Sequence, residues 1–247
     1  ADAVFASGRN IAFDSVLKWV LLMALITLGA AVSYEYGLLT YLFAADESRI
    51  TVLIAVLYVG FSIHCLWILV ELGREYRRAL EVQALLATTT TVPDIPKGKG
   101  LIDRYLADLI RSREQKRDVE GNAHLLMMSL GASLRRRAKV GTYGADLLYK
   151  LGMLGTMVGF VMMLNSMGGL SNFEVDTLRG ALQKMIAGMA VSLLTTIAGL
   201  IGGILLRLEY NIADALVTDI SQTAVSFTEV SLLPLLAQKE PGGENAL

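Results

Sequence analysis

Four apolar stretches, each long enough to cross a bilayer, constrain this chain more than any other feature. A membrane-spanning helix needs about 20 mostly apolar residues, and no water in hydrocarbon can satisfy an open backbone, so such stretches fold as helices. The first runs from about Leu17 to Phe43 and is interrupted only by Glu35. The second runs from about Thr51 to Leu72 and is uncharged until Glu71. The third covers about Leu147 to Leu170, and the fourth about Met185 to Leu206. Composition agrees, with 54% of residues hydrophobic and only 18% charged, against about 25% charged in soluble domains. The chain therefore reads as an all-α integral membrane protein, with four transmembrane helices in two hairpins and helical cytoplasmic extensions.

Charge orients the spans. Between Gly73 and Asp146 stand 14 Lys and Arg, including Arg74, Arg77, Arg78 and the run Arg135, Arg136, Arg137. Basic residues near span ends favour the cytoplasmic side. The opposite ends carry Asp46 and Glu47 in one loop and Glu174 and Asp176 in the other, while Lys18 and Arg207 mark the inner ends of spans one and four. Both termini and the long middle segment are thus expected on the cytoplasmic side. The first apolar run exceeds the about 7–15 residues of a signal-peptide core, so it reads as a span and not as a cleaved leader. Four segments follow: an N-terminal transmembrane hairpin (1–72), a cytoplasmic helical segment (73–146), a second transmembrane hairpin (147–206), and a cytoplasmic amphipathic helix with its tail (207–247).

The middle segment breaks at Thr88–Gly100, where four threonines, Pro93 and Pro96 interrupt any helix. Glu71–Leu86 reads as a continuation of span two, and Leu101–Arg113 as a helix with Leu101, Tyr105 and Leu109 on one face. After span four, Leu208, Ile212, Leu216 and Ile220 recur at every fourth residue, which predicts a helix to about Leu233, before Pro234. From Lys239 onward the composition reads as a disordered tail.

The second hairpin carries the informative residues. Gly152, Gly155 and Gly159 fall on one stripe of span three, and Gly188, Ser192, Gly199 and Gly203 on a matching stripe of span four. Small residues at this spacing let helix backbones approach closely in lipid. Helix packing explains the glycines. Thr156, Thr195 and Thr196 lie near mid-span on the same faces. A lone threonine can bond its own i−4 carbonyl, but three hydroxyls at one depth suit a polar ion pathway better, since intramembrane polar groups tend to be functional. Away from the outer loop and its flanks, neither span holds Asp, Glu, Lys, Arg or His between Leu151 and Leu206. If ions cross here, the carboxylate they need comes from a partner.

The runs LGMLGTMVGF and TTIAGLIGG, followed by Tyr210 and Asn211, resemble the MotA/TolQ/ExbB family across Leu151–Asn211. The third-span motif is similar to the TolQ/ExbB branch. The four spans are similar to flagellar MotA-type chains, and ZorA-type chains show a comparable pattern. The resemblance implies a homo-oligomeric ring of five chains around a dimer of single-span ExbD/TolR/MotB-like partners. It further implies that the partner's Asp binds the ion, that ion flow drives rotation or force across the envelope, and that Thr156 and Thr196 match pathway threonines. Gly152, Gly155, Gly159, Ser192, Gly199 and Gly203 would then pack around the partner. The transported ion is H+ or Na+, since hydroxyl oxygens suit a hard cation, and no bound cofactor or metal is expected.

Other residues have plainer readings. His64, midway along span two, suits a hydrogen bond to a neighbouring helix. Glu35, between two tyrosines, reads as interfacial. The Arg135–Arg137 run suits a membrane anchor near anionic lipid. Glu209, Tyr210 and Asn211 stand at the cytoplasmic end of span four, where Glu209 is either an attractor of exiting cations or a solvated charge. Cys65 is the single cysteine, so no internal disulfide forms. No phosphate loop, metal-ligand cluster or nucleophile–base pair is present in the sequence, nothing points to nucleic acid, and the chain reads as non-enzymatic. The rival functions are a non-conducting membrane scaffold and a secondary transporter; the transporter is disfavoured by the lack of internal repeats and broken helices.

Overall fold

The computed structural model of the chain describes residues 2–46, 48–88, 100–114, 119–167 and 175–232. Its elements are α1 (Asp2–Glu35), α2 (Leu38–Ala45), α3 (Ile50–Thr88), α4 (Leu101–Glu114), α5 (Val119–Met167) and α6 (Val175–Phe227), with a wider π-type turn at Thr228–Leu232. Among the described residues four helices are long and apolar enough to cross a membrane: Asp14–Glu35, Ile50–Leu85, His124–Ser166 and Leu178–Val230. The protein is an all-α, multi-pass membrane protein. The break expected at 88–100 falls largely on residues outside those described, as does the tail. α3 does end at Thr88 and α4 does begin at Leu101.

One difference lies in the first span. The apolar run continues to Phe43, but the helix stops at Glu35 and resumes at Leu38. Gly37 sits at φ +71°, the left-handed conformation that glycine reaches without a Cβ penalty. Its amide bonds the Tyr34 carbonyl at 2.9 Å, and its own carbonyl accepts from Tyr41 at 2.9 Å. A glycine C-cap therefore ends α1, and the next turn starts anew. The last helix also starts earlier than expected. α6 already begins at Val175, ten residues before the fourth apolar run.

The α2–α3 turn is organised by Asp46. Its carboxylate accepts from the Ser48 amide (3.0 Å) and hydroxyl (2.6 Å) and from the Thr51 amide (2.7 Å). Burial works to raise the Asp46 pKa, and these bonds outweigh it, holding the carboxyl below its ordinary range.

The chain forms two compact units, Lys18–Leu66 with Lys139–Asn211, and Ala1–Leu17 with Trp67–Ala138 and Ile212–Leu247. α1, α3, α5 and α6 contribute residues to both. In the second unit α4 buries Ile102, Tyr105, Leu106 and Leu109, while Leu69, Leu72 and Tyr76 of α3 and Leu216, Ile220 and Phe227 of α6 are also buried. Of the expected i, i+4 stripes, Tyr105, Leu109, Leu216 and Ile220 are buried, Leu101 and Ile212 are half-buried, and Leu208 is exposed. Burial pushes the Tyr105 phenol up to about 12, and its hydroxyl pairs with that of Thr228 at 2.9 Å. Arg137 forms an ion pair with Glu71 at 2.5 Å, whereas Arg135 and Arg136 are exposed.

Glu75 fixes the start of α4. Its two carboxylate oxygens accept from the amides of Leu101 (2.9 Å) and Ile102 (3.4 Å), donors that a helix start leaves unpaired. Arg78 adds a 2.9 Å bond to Asp103 in the same first turn. Glu75→Ala strands both amides and should cost about 1–2 kcal/mol, the scale of a lost cap. The expected readouts are a lower Tm of the detergent-solubilised protein and earlier proteolysis within Leu101–Glu114. An unchanged Tm would mean that α4 holds without its cap.

Candidate functional site

The first compact unit contains the second hairpin, and its two helices touch backbone to backbone. A Cβ added to Gly152 would lie 3.2 Å from the Gly199 Cα, and one added to Gly199 would lie 2.8 Å from the Gly152 Cα and the Leu148 carbonyl. Two turns farther along, a Cβ on Gly159 would meet the Gly188 carbonyl and Ser192 amide at 2.6 Å. Toward the other end, a Cβ on Gly203 would strike the Tyr149 ring at 2.7 Å, and one on Gly141 would overlap the Tyr210 ring. Close approach of this kind is how helices associate in lipid, where no hydrophobic drive brings them together. All six small residues expected around a partner are used inside the chain, along this α5–α6 seam.

The three threonines separate according to this seam. Thr195 is fully buried against Gly155, and its hydroxyl donates to the Val191 carbonyl at 2.7 Å. Thr196, one residue on, is half-buried; it donates to the Ser192 carbonyl at 3.0 Å and to the Gly152 carbonyl of α5 at 3.3 Å. Thr156 is half-buried and donates to the Met153 carbonyl at 2.5 Å, while Ser192 donates to the Thr156 carbonyl at 3.4 Å. Thr156 and Thr196 therefore lie within about a turn of each other, with Thr195 sealed between the helices. A hydroxyl whose proton is spent on a carbonyl presents only lone pairs outward, and so acts as an acceptor for water or a cation. Among the described residues, Leu151–Met167 and Met185–Leu206 contain no ionisable side chain.

This hairpin lies within the stretch that matches a known family, for residues 99–225 fit the MotA/TolQ/ExbB proton channel family. The chain belongs to that family. A comparison with curated proteins and one with solved structures gave no match. Within this member, the sequence motifs and the matched segment coincide at α5 and α6.

Glu209 is placed unlike either sequence reading. It is fully buried. Its Oε2 accepts from the Trp19 indole (3.3 Å) and the Ser62 hydroxyl (2.7 Å), and its Oε1 from the Tyr58 hydroxyl (2.7 Å). Tyr210 is buried too; its hydroxyl pairs with His64 Nδ1 at 2.8 Å and donates to the Phe61 carbonyl at 3.2 Å, the interhelical bond expected of His64. Asn211 is exposed. Sequence reasoning passed over Tyr58, Ser62 and Trp19. The available signal was the i, i+4 pair Tyr58 and Ser62 inside an otherwise apolar span, which puts two hydroxyls on one helix face.

The seam predicts a sharp positional contrast. Gly155→Ala drives a methyl into Thr195, and overpacking a close contact costs about 1–3 kcal/mol. Gly60→Ala has nothing within 4 Å of the added carbon. Thermal melting of the solubilised protein should show a clear fall for Gly155→Ala and none for Gly60→Ala. Equal effects would contradict a backbone-to-backbone seam.

Proposed function

We propose that the chain is the ring subunit of a membrane motor driven by a proton or sodium gradient. Several copies, five on the family resemblance, surround a dimer of single-span ExbD/TolR/MotB-like partners in a bacterial inner membrane, with both termini cytoplasmic. The partner's Asp carries the ion past Thr156 and Thr196, and the movement is converted into rotation or force transmitted across the envelope. The observation that carries this reading is the pairing of two half-buried hydroxyls at one depth with helix segments, Leu151–Met167 and Met185–Leu206, that hold no ionisable side chain. Such a surface offers acceptor oxygens to a passing ion but supplies no titratable group, so a partner has to bring one.

Membership of a proton channel family supports conduction. The buried seam supports a rigid wall, because interlocked backbones leave little room for repacking. Thr195 belongs to the wall. Thr156 and Thr196 belong to the path.

Thr156→Val and Thr196→Val test this directly. Each removes a hydroxyl and nearly preserves shape. Loss of one interaction of about 1.4 kcal/mol should slow ion flux roughly tenfold or more, in vesicles that hold the chain with its co-purified partner. Assembly, read by size-exclusion chromatography, should be unchanged. Full flux from the double variant would contradict the pathway and favour a non-conducting scaffold that uses the same seam only for packing.

A further inference from the structure

Glu209 is a buried carboxylate that the ion pathway above does not use. It sits opposite Tyr58 and Ser62, and Ser62 is midway between Thr51 and Leu72, the bounds expected of span two. On α3 the exposed apolar residues Val56, Val59, Ile63 and Trp67 flank that level on both sides, as a lipid-facing surface does. The carboxylate therefore lies at membrane depth, although it follows the fourth apolar run in sequence. Charge at that depth is expensive unless it is paired or hydrogen-bonded. Among the described residues no cation forms an ion pair with Glu209. The titratable groups around it are Tyr58 and Cys65 on α3 and its neighbour Tyr210 on α6, with His64 of α3 bonded in turn to Tyr210; α1 supplies the indole of Trp19.

The make-up of the cage matters more than its strength. An arginine or lysine partner would suit only the ionised acid, since it can donate but never accept. Hydroxyls do both. If a proton adds at Oε1, the new O–H donates to the Tyr58 oxygen, 2.7 Å away, while Oε2 goes on accepting from Trp19 and Ser62. One bond reverses, with the Tyr58 proton turning away from the carboxyl, and two persist. Ser62 also has a second acceptor, the Met23 sulfur at 3.5 Å. The same cage thus accommodates the carboxylate and the neutral acid with little rearrangement.

We propose that Glu209, enclosed by Trp19, Tyr58 and Ser62, is a proton-binding site belonging to this chain itself, separate from the Thr156–Thr196 path and reversible within the folded protein. Proton uptake there changes the charge beside the Trp19 indole and reverses the Tyr58 bond, so α1 and α3 both register it. The site stands apart from the motor reading. A chain that conducts nothing would still take up this proton, and a conducting ring without the site would still carry ions.

Trp19 is the built-in reporter, because the chain has two tryptophans and Trp67→Phe leaves one. Indole emission responds to whether the carboxyl it bonds is charged or neutral. The Trp67→Phe protein in lipid nanodiscs should show a reversible one-proton transition in Trp19 emission as pH is varied, with helical circular dichroism constant throughout. Adding Glu209→Gln should abolish the transition, and Tyr58→Phe, which keeps the carboxyl, should displace it along the pH axis. Emission independent of pH, or a transition that persists in Glu209→Gln or is unmoved by Tyr58→Phe, would overturn the proposal. Should Glu209→Gln fail to fold, the Tyr58→Phe comparison decides alone. Ion flux measured on the same variants reports on the motor separately.

Discussion

Where Gly152 meets Gly199, two helix backbones touch with no side chain between them, and the placement of every functional group in the first unit follows from that contact. A methyl at Gly152, Gly159, Gly188 or Gly199 would collide with backbone, which cannot swing aside as a side chain can. The helices are consequently locked in register, and the register decides which hydroxyls are sealed and which stay partly open. Adjacent residues on a helix differ by about 100° in direction. That angle separates Thr195, against Gly155, from Thr196, at the edge of the seam.

Glu209 lies farther along the same helix. α6 continues without a break from the glycine seam to the carboxylate, and the bonds from Tyr58 and Ser62 set it opposite α3. Polar residues of α1 and α3 meet it there, and these bonds tie the first hairpin to the second. Hydrogen bonds to a buried carboxylate are stronger than neutral ones, on the order of 1.5–3 kcal/mol each. Glu209 is therefore a fastening between the two hairpins. On the proposed function, protons and protein geometry would meet at two places, the hydroxyl-lined path and the caged acid.

Much of this was legible in the residues. Long apolar runs with an unbroken helical period gave α1, α3, α5 and α6, because length and hydropathy in lipid leave no other fold. The glycine stripes marked the seam, since small residues at i, i+3 and i+4 share a face. The break at Gly37 was hidden within an apolar run whose composition continues through it, and only the left-handed backbone reveals it. Thr195 and Thr196 could not be told apart without knowing which face meets α5. Glu209 was the hardest to place. Its position after the last apolar residue points to the cytoplasm, whereas its depth depends on how far α6 is slid along α3, and no local pattern encodes that offset.

The central claim is that Thr156 and Thr196 flank an ion-carrying carboxylate supplied by a partner inside a ring of these chains. A cryo-EM structure of the complex purified in detergent, with co-purifying chains identified by mass spectrometry, tests it most directly. The expected result is a closed ring around two central helices, with an Asp of the partner at the depth of Thr156 and Thr196. A ring with an empty centre, or a solitary chain, would contradict it.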